Sequence, residues 1–508
     1  MPLAPALILL LGGVISPVVG RLAAQCADGS PPPCRSQPAA ARAPAANSVA
    51  VLSFESPDSA DDYLASGLTE DIATLLGGVS SVQVKSPGVV RRAQRAAGGN
   101  LTAVARALGV RYLVDGTVRR AGGRLRVSAR LVRGSTAVAA WGQIFDGSAE
   151  ELLALPARIT REVATRVGGT ITREESAALG VPRTRSPAAY DHFLRGNFLL
   201  ATRSSSGIQQ ALGEYLEAER LDSGFAAALG RAAYAYAVAC ATSTSMPGVS
   251  DDARVVRGLA MADRAIAQDS TASDAWMARG YLLAFANPRT LAGARESFVR
   301  AIALDPQNAE AHHQYAQVLN FLGDDDGAER ELRSALALEP ARAVSLVDLA
   351  GWVRPRDTVL GRRLLDSAIA LDPTFWVAYL RRAETRLLMH DAAGALADAE
   401  MAVRLGPGPV ECILAAALAQ AGDTTRARSI VRRLTTAPIS DLSPEWCTAR
   451  AILALGDTAA ALDRLDHVPR TALLWVGLRR PEFDALRGNP RFERAVAESR
   501  PPGAAGPH

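Results

Sequence analysis

Aromatic side chains are scarce in this chain, 5% of its 508 residues, although 48% are hydrophobic. Well-buried cores are therefore available but are not built on rings. An Ala-rich, ring-poor interior suits helices packed closely together. Histidine is also sparse: six residues, mostly scattered over helical stretches, leave acid–base chemistry few candidates. Excess charge of one sign is missing, since 56 basic and 52 acidic residues give +4, too balanced to imply nucleic acid. Lysine is nearly absent, Lys85 being the only one, a genomic bias without mechanistic weight. Five cysteines are an odd number and set no clean disulfide framework. No phosphate loop, dinucleotide fingerprint, His-Glu-x-x-His or nucleophile elbow is present in the sequence. His312 and His313 point to opposite helix faces without partners at metal spacing. Asp324-Asp325-Asp326 reads as capping in a turn. The expectation is a non-enzyme with no metal and no cofactor.

What the chain does have is a recurring phrase. Ala301-Ile302-Ala303-Leu304-Asp305-Pro306 returns as Ala335 to Pro340, Ala368 to Pro373 and Ala402 to Pro407, with prolines 34, 33 and 34 residues apart. A fixed period near 34 signals stacked helical hairpins, and such stacks bind other chains. Ala294, Phe298 and Ala301 stand at offsets from Pro306 that Ala328, Leu332 and Ala335 repeat from Pro340. Small residues let paired helices approach, the large one fills the gap, and proline ends the second helix. These offsets resemble the tetratricopeptide repeat. Degenerate copies end at Ser223 and Ser270, with an insertion around Cys240 to Asp252, and Trp352 to Asp357 is irregular. About eight hairpins are expected over 188–468, then a cap over 469–498 and a disordered tail over 499–508.

The amino-terminal part reads differently. Leu3 to Gly20 is apolar and is followed by small residues, so 1–24 reads as a signal peptide or membrane anchor, and 25–47 as a Pro/Ala-rich linker. Cys26 and Cys34 could pair in an oxidising compartment. Cys240, Cys412 and Cys447, in helical stretches, read as small buried apolar residues. From Ser48 the pattern predicts strands at Val49–Phe54 and Val82–Val84. A helix is expected over Asp61–Leu76, and a second starts at the cap Asn100 and stops at Gly109. A hairpin follows, Tyr112–Arg119 with Arg124–Val132 across Ala121-Gly122-Gly123, then a strand at Ala137–Phe145 and a helix over Glu150–Ile171. The order βαβαβββα is an α/β domain with a mixed sheet over 48–175, joined by a linker at 176–187 to an all-α tetratricopeptide-repeat superhelix.

Several phrases of that domain occur in family order: Val49-Ala50-Val51-Leu52-Ser53-Phe54, Gly67-Leu68-Thr69-Glu70-Asp71, Ala107 to Tyr112, Gly116 to Arg120, and Trp141-Gly142. They resemble the TolB-like amino-terminal domain, close to the flagellar FlgO-type domain. In bacteria that module often precedes tetratricopeptide repeats and is attached to adenylate cyclases or serine/threonine kinases. The resemblance implies no catalytic residues.

Two surfaces are singled out. Between Lys85 and Arg133 stand twelve basic residues and one acid, while Glu55 to Asp71 holds six acids and no base. Arg119, Arg124, Arg126 and Arg130 either solvate an open sheet face or dock an acidic partner. On the repeat array, Met277, Tyr281, Glu310, His313, Gln317, Asn320, Glu384 and Leu387 are expected on the first helices, facing a groove that reads a peptide or loop by hydrogen bonds. The expected function is a non-catalytic scaffold binding protein partners, exported to the periplasm or cell envelope, with membrane association through the first segment. The alternative is a regulatory or sensor module acting with a separately encoded kinase or adenylate cyclase.

Overall fold

The computed structural model describes residues 44–504, apart from 122–123, 182, 242–243, 245–248, 287, 407–409 and 437–444. The apolar leader, Cys26 and Cys34, the Gly122-Gly123 turn and most of the insertion near Cys240 lie outside the described residues.

Local chemistry accounts for the first elements. The buried run Ser48–Val51 is strand β1, and Asp62–Gly77 is helix α1, whose stripe Leu64, Leu68, Ile72 and Leu76 is fully covered. Strand β2 is Gln83–Val84. Helix α2, Pro87–Ala96, is an element the expected order lacks. Its apolar face is regular but small: Val90 is buried and Val89, Ala93 and Ala97 are half-buried beside it, while three arginines occupy the rest of the surface. Helix α3, Leu101–Leu108, starts where the Asn100 side chain accepts from the Ala103 amide, and it stops where Gly109 turns left-handed at φ 61°.

Strands β3 (Tyr112–Ala121), β4 (Arg124–Arg133) and β5 (Ala139–Ser148) follow. They complete a five-stranded mixed sheet in the order β2-β1-β3-β4-β5, parallel at β2-β1-β3 and antiparallel beyond. On β4 the alternation holds: Leu125, Val127, Ala129 and Leu131 are buried while Arg124, Arg126 and Arg130 face water. Helices α4 (Leu155–Arg166) and α5 (Arg173–Leu179) close the module. The stretch 176–187, expected as a linker, is tied down instead. Arg183 pairs with Asp71 at 3.2 Å, and the Thr184 hydroxyl donates to Asp222.

The remaining helices pair into consecutive hairpins: α6 Pro187–Leu200 with α7 Ser205–Leu221, α8 Ala226–Ala241 with α9 Asp251–Gln268, and α10 Ser273–Ala286 with α11 Leu291–Leu304. They continue as α12 Ala309–Phe321 with α13 Asp325–Leu338, α14 Ala343–Val353 with α15 Thr358–Leu371, and α16 Trp376–Leu388 with α17 Ala392–Leu405. The last two are α18 Glu411–Gln420 with α19 Thr424–Thr436, and α20 Glu445–Ala454 with α21 Thr458–Asp466. Helices α22 (Ala472–Leu478) and α23 (Pro490–Ser499) end the array. Part of the expected tail packs, since Ser499 and Ala504 are buried. Ala294, Phe298 and Ala301 are fully covered, as are Ala328, Leu332 and Ala335, which is the packing role their offsets imply.

The module and the array share a core. Leu64, Leu68, Ile159 and Val163 belong to one buried cluster with Tyr190, Phe193 and Leu194. At the crossing of α1 and α6 a side chain on Gly67 would stand 2.6 Å from a Leu194 methyl, so any larger residue there would have to displace Leu194. Farther out, Ser86 at the head of α2 donates to the Leu338 carbonyl at 2.8 Å, 252 residues away.

Cys412 and Cys447 are not separate apolar residues. They form a disulfide with Cα atoms 5.8 Å apart and a sequence separation of 35, one repeat period. That spacing puts both on successive first helices, α18 and α20, where stacking makes them neighbours. Restricting a loop of 35 residues is expected to contribute about 4 kcal/mol, so Cys447→Ser should lower the denaturant midpoint and reductant should do the same to the wild type. Unchanged unfolding curves with and without reductant would contradict the bridge.

Candidate functional site

The first helices of the hairpins stack on one another, and their polar residues meet along a continuous line. It begins at Arg203, which donates to the Tyr234 hydroxyl at 2.8 Å and lies 3.7 Å from Glu310. Tyr281 packs beside Tyr234, ring centroids 6.5 Å apart. Glu310 accepts from Arg342 and, at 2.9 Å, from Gln314. His313 is buried, with Nδ1 2.9 Å from Ser345 Oγ and Nε2 3.5 Å from Asp348. Asp348 accepts from Gln317 at 2.6 Å.

The line ends in a buried cluster of ions. Glu384, 1% exposed, accepts from Arg381 at 2.9 Å, Arg450 at 2.8 Å and Arg354 at 3.2 Å. Glu482, from the terminal cap, accepts from Arg354 at 2.7 Å. Arg480 approaches Glu384 at 3.6 Å, too far for a hydrogen bond, and its buried Nη1 has no hydrogen-bond partner. Four guanidiniums thus surround two carboxylates.

Burial governs the titration of these groups, and the neighbours decide its sign. Desolvation alone would raise Glu310, but Arg342 and Arg203 outweigh it and hold the carboxyl at about 2. Burial opposes ionisation of Glu384 as well, and four arginines overcome it, leaving the carboxyl well below its usual range. Arg480 goes the other way: desolvation, joined by Arg381 and Arg354, lowers it to about 9. Burial pushes His313 down, toward the neutral ring, and Asp348 up.

The terminal cap folds back over this line. Helix α22 packs against α12, and Arg479 pairs with Asp325. Between them lies a chamber of about 710 Å³ whose walls include Gln317, Asn320, Phe321, Trp352, Leu473 and Val476 and whose floor is Arg354, Arg381 and Arg480.

The expected groove residues therefore divide. Met277 is buried among apolar neighbours, and Leu387 is half-buried against Ala383 and Ala395. Tyr281, Glu310, His313 and Glu384 are engaged with the chain itself rather than open to a peptide. Gln317 and Asn320 alone of the eight line the chamber. Sequence reasoning missed Arg342, Arg354, Arg381, Arg450, Arg480 and Glu482. The available signal was a charge inside an otherwise apolar helical run, as at Arg450 in Cys447-Thr448-Ala449-Arg450-Ala451-Ile452.

The basic patch is largely balanced in space. Arg126 forks onto Asp146 at 2.6 and 2.9 Å, and Arg130 onto Asp115 at 2.8 and 2.7 Å. Arg119 stands across from Arg126 in the register, and Arg124 across from Ser148, both exposed. The acidic segment folds beside the basic one, with Asp61 at Arg120 and Glu70 at Arg91. Among the described residues no group of three His, Cys, Asp or Glu could hold a metal ion, and no helix is long and apolar enough to cross a membrane.

Comparison with known proteins bears on the array. A family model described as tetratricopeptide repeat matches residues 289–347, which span α11 to α14. The chain is 32% identical over 190 residues to a protein of Rhizobium meliloti (strain 1021) named putative adenylate cyclase 3. The match takes in 36% of this chain and 32% of that one, so the chain spans about a third of its relative's length. Among solved structures, a tetratricopeptide repeat protein from Parabacteroides merdae is 12% identical, covered over 93% of its length and 49% of this chain, with a TM-score of 0.37. YrrB, described as a TPR protein with an unusual peptide-binding site, is 16% identical, covered over 92% of its length and 38% of this chain, with a TM-score of 0.28.

Glu310 offers a pH test of the polar line. Its folded pKa of about 2 lies below the 4.5 of an unperturbed glutamate, so its contribution is present above pH 4.5 and is lost as pH falls toward 2. Glu310→Gln should be less stable at pH 7 by about 3 kcal/mol and should lose less on acidification, as read by urea unfolding between pH 7 and 3. Parallel stability curves for both proteins would refute the assignment.

Proposed function

We propose that this protein is a non-catalytic scaffold of the bacterial cell envelope that holds partner proteins or peptides on its repeat array. The observation that carries this reading is the tetratricopeptide match at 289–347, set within a run of eight described hairpins. Stacked repeats contact only their neighbours and so present long continuous surfaces, which are used to bind other chains. The α/β module, which resembles the TolB-like domain, acts as a docked head. Its α1 is fixed against α6 through Gly67 and Leu194, and it adds the outward face of β4 and β5 to the binding surface. An envelope location is supported by the Cys412–Cys447 bridge, since disulfides persist in oxidising compartments, and by the apolar leader from Leu3 to Gly20.

A second reading has one observation in its favour. The identity to the R. meliloti protein named putative adenylate cyclase 3 fits a sensor module that works with a separately encoded cyclase or kinase. A catalytic chain recovered in stoichiometric complex with this one would favour it.

Site-specific photocrosslinking tests the scaffold reading. A benzophenone side chain at Asn320, within the array, should yield an adduct of one discrete mass in cells, whereas one at exposed Val299 on α11 should not. Equal labelling from both positions, or from neither, would count against a partner held by the array. The location has its own test: alkylation in intact cells should leave Cys412 and Cys447 unmodified unless a reductant is added first. Rapid modification of both without reductant would exclude the oxidising compartment.

A further inference from the structure

The sheet of the α/β module has two edges, and the fold treats them differently. At one edge β2 is two residues long and is followed by Lys85, and Ser81 beside it donates to the Thr170 carbonyl at 2.8 Å. Short length and a lysine are common means of closing an edge to further strands. At the other edge β5 runs ten residues, and among the described residues no strand lies beyond it. From Ala139 to Phe145 it carries neither charge nor proline. Its register shift, at Leu131/Val132, falls near its start and leaves Trp141 to Ser148 evenly paired with β4. Ala139, Ala140, Gly142, Gln143 and Ile144 are exposed, Ile144 at 60%. Between Ala139 and Gly147 the backbone groups bond only within the β4 ladder among the described residues. The outer row of amides and carbonyls is therefore open, and such a row takes an extended polypeptide.

Charge selects among extended chains. Strands β4 and β5 hold four arginines and one acid, Asp146, while the turn Ala149–Ala154 and α4 hold three arginines and three glutamates. Asp115 on β3 takes up Arg130, so two positive charges remain around this edge. Asp146 answers Arg126 and Glu162 answers Arg166, whereas Arg124 and Arg158 make no ion pair. Arg124 stands across from Ser148, whose small side chain leaves it a way past β5 to an added strand about 10 Å from β4. A second copy of the chain would bring the same surplus against itself. Antiparallel self-pairing centred on Gln143 would also set Trp141 of one copy across from Phe145 of the other. Arg166 lies 5.0 Å over the first ring and Arg158 5.2 Å over the second, so like charges would meet there. We propose that β5 is the docking edge for an extended acidic segment of a partner protein, added as a sixth strand. Backbone groups of the segment pair with β5, a carboxylate on its outward face meets Arg124, and its alternate apolar side chains lie beside Trp141. This inference rests on the scaffold reading and gives the partner its chemistry. The Asn320 crosslink reports on the array and the test below on the module, so either can fail without the other.

The test uses the full chain and the peptide acetyl-Thr-Val-Glu-Val-Glu-Val-Thr-amide, whose carboxylates share one face of a strand. Calorimetry should give one site per chain with Kd below about 1 mM, and the peptide with lysine at both glutamates should bind about tenfold more weakly or less. N-methylation of two consecutive central residues keeps the charge but blocks both edges of the peptide, and it should abolish binding. Arg124→Glu, at an exposed position, should weaken the acidic peptide about tenfold. A benzophenone side chain at Ile144 should crosslink the acidic peptide. A crosslinked dimer would assign the edge to a second copy, and an internal crosslink to residues 25–43 would assign it to the chain's own leader; either overturns the proposal. So does equal binding of the glutamate and lysine peptides, binding that survives N-methylation or is unchanged in Arg124→Glu, or no binding of the acidic peptide at about 1 mM.

Discussion

Glu384 is the interaction on which the carboxy-terminal half depends. A carboxylate 1% exposed cannot be left bare, and the arginines that bond it come from α14's end, α16 and α20, while Arg480 of the terminal cap stands 3.6 Å away. Hydrophobic contacts in a repeat array tie each hairpin only to the next. This cluster instead ties hairpins five, six and eight and the cap to a single point. Buried ion pairs are weak evidence of net stability, because desolvation offsets attraction. A register slip between hairpins would strand a buried charge, which disfavours that arrangement.

The amino-terminal half is held by different means. There the α/β module inserts its own core into that of the array, and the fit at Gly67 allows α1 and α6 to touch closely. Tyr63 adds a polar clasp, donating to Asp191 at 2.6 Å while Arg120 bonds the same carboxylate at 2.9 Å. Module and hairpins thus form one compact unit.

Features set by local chemistry were legible in the sequence. The proline-terminated phrase, the Asn100 cap, the Gly109 stop and the alternation along β4 each depend on residues within a few positions of one another. Helix α2 was missed although Val89, Val90 and Ala93 form a regular apolar face, because that face is short and built of small side chains beside three arginines. The candidate site was less readable still. Glu310, His313, Gln317 and Glu384 were placed on the correct helices, but their partners Arg342, Ser345, Asp348 and Arg450 lie 31 to 66 residues away. Periodicity indicates which face of a helix points inward, and it is silent on which charges will meet there. The disulfide was missed as well: Cys412 and Cys447 read as separate apolar residues, although their separation of 35 is close to one repeat.

The bond from Ser86 to the Leu338 carbonyl also bears on the order in which the molecule is made. Its two ends are 252 residues apart, and ribosomes add about 5 to 20 residues per second, so the donor emerges roughly 10 to 50 s before its acceptor exists. During that interval the module can settle on α6 while the head of α2 stays uncovered. Final docking must wait for the fourth hairpin, and a nascent chain truncated before it would expose that edge to any chaperone or protease nearby.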